Sequence, residues 1–292
     1  MKLILALLAM FSLDAFGACL RANSCVGTLT FSDKRKLTYY RTHPLGTKDS
    51  SIKMAIILIH GSERNAAEYY NYLAPYINKL GIFATAPLFS DTDKTGYHVW
   101  KTTGWRKGDN SNNGMSSFQI IDEILDKIKF SYSAVNNIVL IGHSAGGQFV
   151  NRYIAGGNPK NIPMTYIVMN PSSYLYIDKR RPNDVSSCLY YNFYHYGLDV
   201  PNEYMKGKDV FKNYTSRKMI MLVGSQDTSV DSGLDVSCSA NAQGKNRLER
   251  ARNYESYIES FPAWHKNITY GEIPAVGHSG SKMINAAIKF MY

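Results

Sequence analysis

A chain of 292 residues is long enough to bury one substantial core, and 45% hydrophobic with 19% charged residues excludes a disordered chain. The net charge of +10 comes from scattered lysines and arginines with no basic helix among them, which points away from nucleic acid and towards loose attraction to anionic surfaces. Twenty-two tyrosines and three tryptophans suit aromatic loops facing a polymer or carbohydrate.

The N terminus carries one early cation, Lys2, and then an apolar run to Leu13, the pattern of a signal peptide and too short for a membrane span. Small residues at Ala15, Gly17 and Ala18 place cleavage near Gly17 or Ala18. The expectation is therefore a leader over residues 1–18, a single domain over 19–292, and a secreted or periplasmic, monomeric protein without a transmembrane segment. Cys19 after Gly17 and Ala18 also resembles a lipoprotein site, although Phe16 stands where such sites prefer leucine. Four cysteines remain after cleavage, and in an exported chain an even number favours two disulfides. Of three possible pairings, Cys19–Cys25 with Cys188–Cys238 is favoured. Neither a Cys-x-x-Cys nor a His-Glu-x-x-His occurs, so no metal is expected. Asn213 and Asn267 head glycosylation sequons, relevant only in a eukaryotic host.

Along the chain, residues 26–31 and 37–42 read as a hairpin around the charged turn 32–36. Residues 53–60 are a continuous apolar run, the mark of a strand buried on both faces, ending in His60, Gly61 and Ser62. A helix is expected over 65–80, closed by Gly81, then a short strand over 82–86 stopped by Pro87. Residues 87–113 lack periodicity, and a loop of that length is usually functional. An amphipathic helix follows over 115–130, with Phe118, Ile121, Ile124, Leu125 and Ile128 on one side. Further strands read over 138–142, 165–170, 218–224 and 268–273, with helices over 145–155, 247–261 and 281–291. Residues 178–217 form a tyrosine-rich insertion carrying Cys188. Alternation of strand and helix from residue 53 onward implies an α/β class, a mostly parallel sheet flanked by helices. Reactive groups in such sheets collect at the carboxyl ends of strands.

Gly142, His143, Ser144, Ala145 and Gly146 make a Gly-x-Ser-x-Gly at a strand-to-helix corner, a nucleophile elbow that holds the hydroxyl proud of the sheet. Asp227 follows a later strand and His278 the last one, giving the order Ser, Asp, His that a catalytic triad on this sheet requires. With His60-Gly61-Ser62, Gly224 to Asp227, and Gly277-His278, the chain from about residue 26 onward resembles the α/β-hydrolase superfamily. Its run from His60 to Ala66 is also similar to secreted esterases and polyester depolymerases. The resemblance implies an oxyanion hole from the backbone N–H groups of Ser62 and Ala145. The 87–113 loop and the 178–217 insertion are expected to form walls or a partial cap over Ser144.

Each assignment has a competitor. Asp231 and Asp235 share a loop with Asp227, which is preferred as the first acidic residue past its strand. His265 precedes its strand and falls at the wrong end. His143 reads as filler of the elbow, His60 as a structural ring, and Ser279 as the start of the closing helix. Trp100, Trp105, Tyr191 and Tyr194 are candidate substrate contacts or, equally, packing residues. The function expected is cleavage of a small or polymeric carboxylic ester through an acyl-enzyme, with no cofactor. An amidase or peptidase with the same triad, or a catalytically silent binding scaffold, are the alternatives.

Overall fold

The apolar run near residue 53 forms a central strand because both of its faces are covered. In the computed structural model, which describes residues 18–77, 81–159 and 161–292, that strand is β3 (Met54–Ile59), and its last five residues are all buried. The leader expected over 1–18 lies, apart from Ala18, outside the described residues. Ahead of β3 come a short helix α1 (Ala22–Cys25) and the hairpin β1 (Val26–Thr30) and β2 (Lys36–Arg41). After it come α2 (Ala66–Leu73), β4 (Ile82–Pro87), α3 (Ser117–Ser131), β5 (Asn137–His143), α4 (Ala145–Gly156) and β6 (Met164–Met169). The chain continues through α5 (Val210–Ser216), β7 (Lys218–Gly224), α6 (Cys238–Asn241), α7 (Arg247–Glu259), α8 (Pro262–His265), β8 (Ile268–Ile273) and α9 (Gly280–Ala287).

The eight strands form one sheet in the order β1-β2-β4-β3-β5-β6-β7-β8. β2 pairs antiparallel with β1 and β4, and every pairing from β4 to β8 is parallel. Parallel strands need crossover connections, and these carry the helices to both faces. One face packs on α3 and α4 through Phe118, Ile121, Phe149 and Tyr153. The other packs on α2 and α9 through Tyr70, Leu73, Met283 and Ile284. The carboxyl ends of β3, β5, β6, β7 and β8 therefore share one rim.

The helix expected over 65–80 is shorter. α2 stops at Leu73 and a single 3₁₀ turn follows over Ala74–Tyr76, because Pro75 lacks the N–H that would continue the ladder. The 178–217 insertion is mostly turns, with α5 as its only helix among the described residues. Both cysteine pairs are closed: Cys19 with Cys25 and Cys188 with Cys238, the second spanning 50 positions. Among the described residues no helix is long and apolar enough to cross a membrane.

Candidate active site

Ser144 stands alone between β5 and α4, at φ 57° and ψ −119°, a conformation that L-residues rarely adopt. The Ser144 N–H donates to Met169 O at 2.9 Å, which ties the corner to the neighbouring strand. A Cβ on Gly142 would lie 2.2 Å from Gly146 O, and one on Gly146 would lie 2.2 Å from Ile59 O. Both obstacles are backbone, so only glycine fits at either position. Ala145 is the first residue of α4, and its N–H has no carbonyl within the helix to receive it.

Ser144 Oγ lies 2.9 Å from His278 Nε2, and His278 Nδ1 lies 2.8 Å from Asp227 Oδ2. The three side chains come from the ends of β5, β7 and β8. Asp227 is fully buried, and its Oδ2 also accepts from the Asn170 amide, which donates a second bond to Gly277 O at 3.4 Å. On the far side, Arg247 Nη1 faces Asp227 Oδ1 at 3.5 Å. Arg247 is itself buried and grips Asp231 with two bonds of 2.9 Å. The three competing aspartates thus divide: Asp227 meets the imidazole, Asp231 meets Arg247, and Asp235 accepts from Tyr196 Oη at 2.6 Å. His265 ends α8 before β8, away from the rim. Ser279 caps α9 by accepting from the Lys282 N–H.

His60 follows β3 and is completely buried. Its Nδ1–H donates to Gly61 O at 2.8 Å, and its Nε2 accepts from the Phe89 N–H at 3.1 Å. Only a neutral ring can do both, and burial pushes its pKa down to about 4. The ring pins the His-Gly-Ser loop beside the elbow. His143, also buried, bonds Tyr69 Oη through Nδ1 at 2.7 Å, and its ring lies 4.7 Å from that of His278. A cleft of about 190 Å³ opens over Ser144 and His278, lined by Ser62, Glu63, Glu68, Tyr69 and Tyr72.

No family model and no curated protein matches the sequence. Solved structures do. A poly(aspartic acid) hydrolase-1 from Sphingomonas sp. KT-1 superimposes with a TM-score of 0.70 at 21% identity, over 91% of this chain and 98% of that one. LpqC, a poly(3-hydroxybutyrate) depolymerase from Bordetella parapertussis, gives 0.69 at 21% identity, over 91% of this chain and 89% of that one. The chain has the α/β-hydrolase fold. An S-formylglutathione hydrolase from Agrobacterium tumefaciens is similar more distantly, with a TM-score of 0.51 at 13% identity, over 91% of each chain.

Of the four aromatic residues read as substrate contacts or, equally, as packing, Trp100 and Trp105 are buried, and Tyr191 and Tyr194 are half-buried. Trp100 and Trp105 are only 2% and 1% exposed. Trp105 stacks on Phe89 at 5.4 Å and lies 4.6 Å from the His60 ring, beneath the His-Gly-Ser loop. Trp100 donates its indole N–H to Asp109 O at 2.9 Å. Tyr194 donates its hydroxyl to Lys107 O, and Tyr191 is half-buried with the Arg181 guanidinium 5.2 Å from its ring. A loop without periodicity carries no sign of which way its rings point, and these turn inward to bury apolar area. The residues that do line the cleft, Glu63, Glu68, Tyr69 and Tyr72, follow the His-Gly-Ser turn or sit on one side of α2. Their i, i+4 spacing from Glu68 to Tyr72 was a usable signal. Asn170 and Arg247 left none, since each reaches Asp227 from a different crossover.

Proposed function

We propose that the chain is an exported serine hydrolase that cleaves carboxylic esters through an acyl-enzyme, with residues 1–18 removed as a leader. The observation that carries this reading is the unbroken relay from Ser144 Oγ through His278 to Asp227, at 2.9 and 2.8 Å. His278 Nε2 takes the proton as Ser144 Oγ attacks the ester carbonyl, and Asp227 holds the ring by its Nδ1–H. The N–H groups of Ala145 and Ser62 receive the developing oxyanion, a contribution of about 3 kcal/mol for each such donor in comparable sites. Collapse expels the alcohol with the proton returned by His278, and water then repeats the sequence to release the acid.

The likeness to a poly(3-hydroxybutyrate) depolymerase supports a polymeric ester as substrate, and that to a poly(aspartic acid) hydrolase keeps amide cleavage as the second reading. The test is labelling by a fluorophosphonate followed by turnover of chromogenic esters and anilides. Ser144→Ala is expected to abolish labelling and to cost on the order of a millionfold in kcat. Labelling that persists in Ser144→Ala, or an active Asp227→Asn and His278→Ala pair, would remove the relay from the mechanism.

A further inference from the structure

In a chain of net charge +10, the cleft over Ser144 is lined by carboxylates. Glu63 follows the His-Gly-Ser loop, Glu68 stands in the first turn of α2, and both share the lining with Ser144 and His278. None of the described residues lining the cleft is a lysine or an arginine. Glu68 is held in place, accepting from the Asn65 amide and from Tyr72 Oη. The helix dipole favours a glutamate in that first turn, but Glu63 has no such role. Glu63 is exposed and has no hydrogen bond or ion pair among the described residues. The neighbouring cations are already engaged. Arg64 donates to Phe89 O and Thr102 O at 2.7 and 2.8 Å and faces Asp91 at 3.3 Å. Arg247 is divided between Asp231 and Asp227, and His278 rests on Asp227. The two glutamates are left without a counter-charge from the cleft's own lining.

Two tyrosines in the same lining register this negative field. The hydrogen bond to Glu68 pushes Tyr72 up to about 12, aided by burial and by the charges of Glu68 and Glu63. Burial raises Tyr69 as well, and the carboxylates that add to it are again Glu68 and Glu63, with no cation opposing them. The two rings lie 5.8 Å apart at 58°, so the cleft offers aromatic faces beside its carboxylates. His143 completes the wall and is only 2% exposed. Its Nδ1 bonds Tyr69 Oη at 2.7 Å, while its Nε2 is buried with nothing to bond. Buried polar groups in folded chains are paired, so this wall is one partner short. Burial, with the charges of His278 and Arg247, keeps the His143 ring neutral, and it brings no positive charge to the cleft.

We propose that this cleft receives a cationic group, a substituted ammonium carried on the alcohol part of the ester, between Glu63, Glu68 and the rings of Tyr69 and Tyr72. Turnover rests on the serine-hydrolase reading, whereas binding rests on the cleft alone. The alcohol part belongs here because His278, which lines the cleft, returns its proton to the leaving oxygen. Carboxylates and aromatic faces are what such a cation accepts in place of water. Carboxylates set there for solubility alone would oppose the oxyanion that forms on the same serine. A cation on the substrate removes that opposition, and a polyanionic chain meets it in full.

Two acetate esters of equal shape test it on the full chain: 2-(trimethylammonio)ethyl acetate, which is cationic, and 3,3-dimethylbutyl acetate, which is neutral. Two carboxylates at the cleft predict a kcat/KM ratio of about tenfold in favour of the cation. Glu63→Gln is expected to lower that ratio about threefold or more, and Glu68→Gln, which keeps a hydrogen-bonding oxygen, to do the same. Glu259→Gln makes the same change in net charge at the exposed end of α7 and keeps the wild-type ratio. The two alcohols differ in leaving ability equally in every variant, so the change in the ratio is the readout. Saturation-transfer NMR of the cationic ester on the Ser144→Ala chain reads the cleft without turnover, and adding Glu63→Gln should weaken that signal. Such binding with neither ester hydrolysed by the wild type supports the cleft's selectivity and removes the hydrolase reading. A ratio near one in the wild type, a ratio indifferent to both glutamate substitutions, or no binding of the cationic ester to Ser144→Ala overturns the proposal.

Discussion

Lowering the pH from 7 to 5 should unfold this protein or bring it close to unfolding, because three of its histidines are built in as neutral rings. Burial depresses His60 to about 4, and burial with nearby positive charge pushes His143 and His195 well below the ordinary 6.5. The charges are His278 and Arg247 for His143, and Arg152, Lys107 and Arg106 for His195. A depressed folded-state value means that the unfolded chain takes up protons first. The stability these rings contribute is fully present above 6.5 and is lost as the pH falls towards 4. At pH 5 an unfolded histidine is almost fully protonated, which costs the fold about 2 kcal/mol per ring and about 6 kcal/mol for three. Single domains have only about 5–15 kcal/mol in total. Urea unfolding followed by tryptophan fluorescence at pH 7, 6 and 5 measures the loss directly. His60→Gln, weaker at pH 7, should show a slope smaller by about 1.4 kcal/mol per pH unit, the value of one proton. A total change under about 2 kcal/mol between pH 7 and 5, or the same slope in His60→Gln, would refute the assignment of neutral buried rings.

Two further outcomes follow from packing and covalent closure. Gly146→Ala sets a methyl group 2.2 Å from Ile59 O and 2.7 Å from His60 O, backbone that cannot retreat, and should lose about 3 kcal/mol or more, a fall in Tm of roughly 10 °C. Gly271→Ala, whose methyl would meet only a Leu222 side-chain carbon at 3.3 Å, should fall far less in the same melt. Opening Cys188–Cys238 releases a loop worth about 4 kcal/mol by chain entropy and loosens the insertion from the segment after Asp227, where Tyr196 meets Asp235. On titrating reductant, ester turnover should fall at lower concentrations than tryptophan fluorescence reports unfolding. Coincident losses would show that the bridge acts on the whole domain rather than on the acid's surroundings.

What could be read from the residues alone follows from how far each signal reaches along the chain. β3, β5, β6 and β7 declare themselves because strands covered on both faces must be apolar throughout. Ser144 and Asp227 stand out because each follows such a strand and His278 because it follows β8, the last strand, and parallel strands deliver their ends to one rim. Arg247 and Asn170 stayed hidden, since their partner Asp227 lies 20 and 57 positions away and the pairing depends on how α7 and β6 lie against each other. The end of α2 was misjudged for a local reason: the apolar pattern runs past Pro75, but the hydrogen-bond ladder does not. Trp100 and Trp105 show the reverse case, where residue type leaves contact and packing equally open and only the structure shows that both rings are buried.

The ring closed by Cys19 and Cys25 limits the chemistry open to the Cys19 sulfur. A sulfur holds one such bond, so a Cys19 joined to Cys25 has no thiol left on which a diacylglyceryl thioether could be built. The backbone around it is stitched down as well, with the Cys19 N–H on Thr42 O and the Tyr70 hydroxyl on Cys19 O. Oxidation and lipid attachment exclude each other at this one sulfur atom.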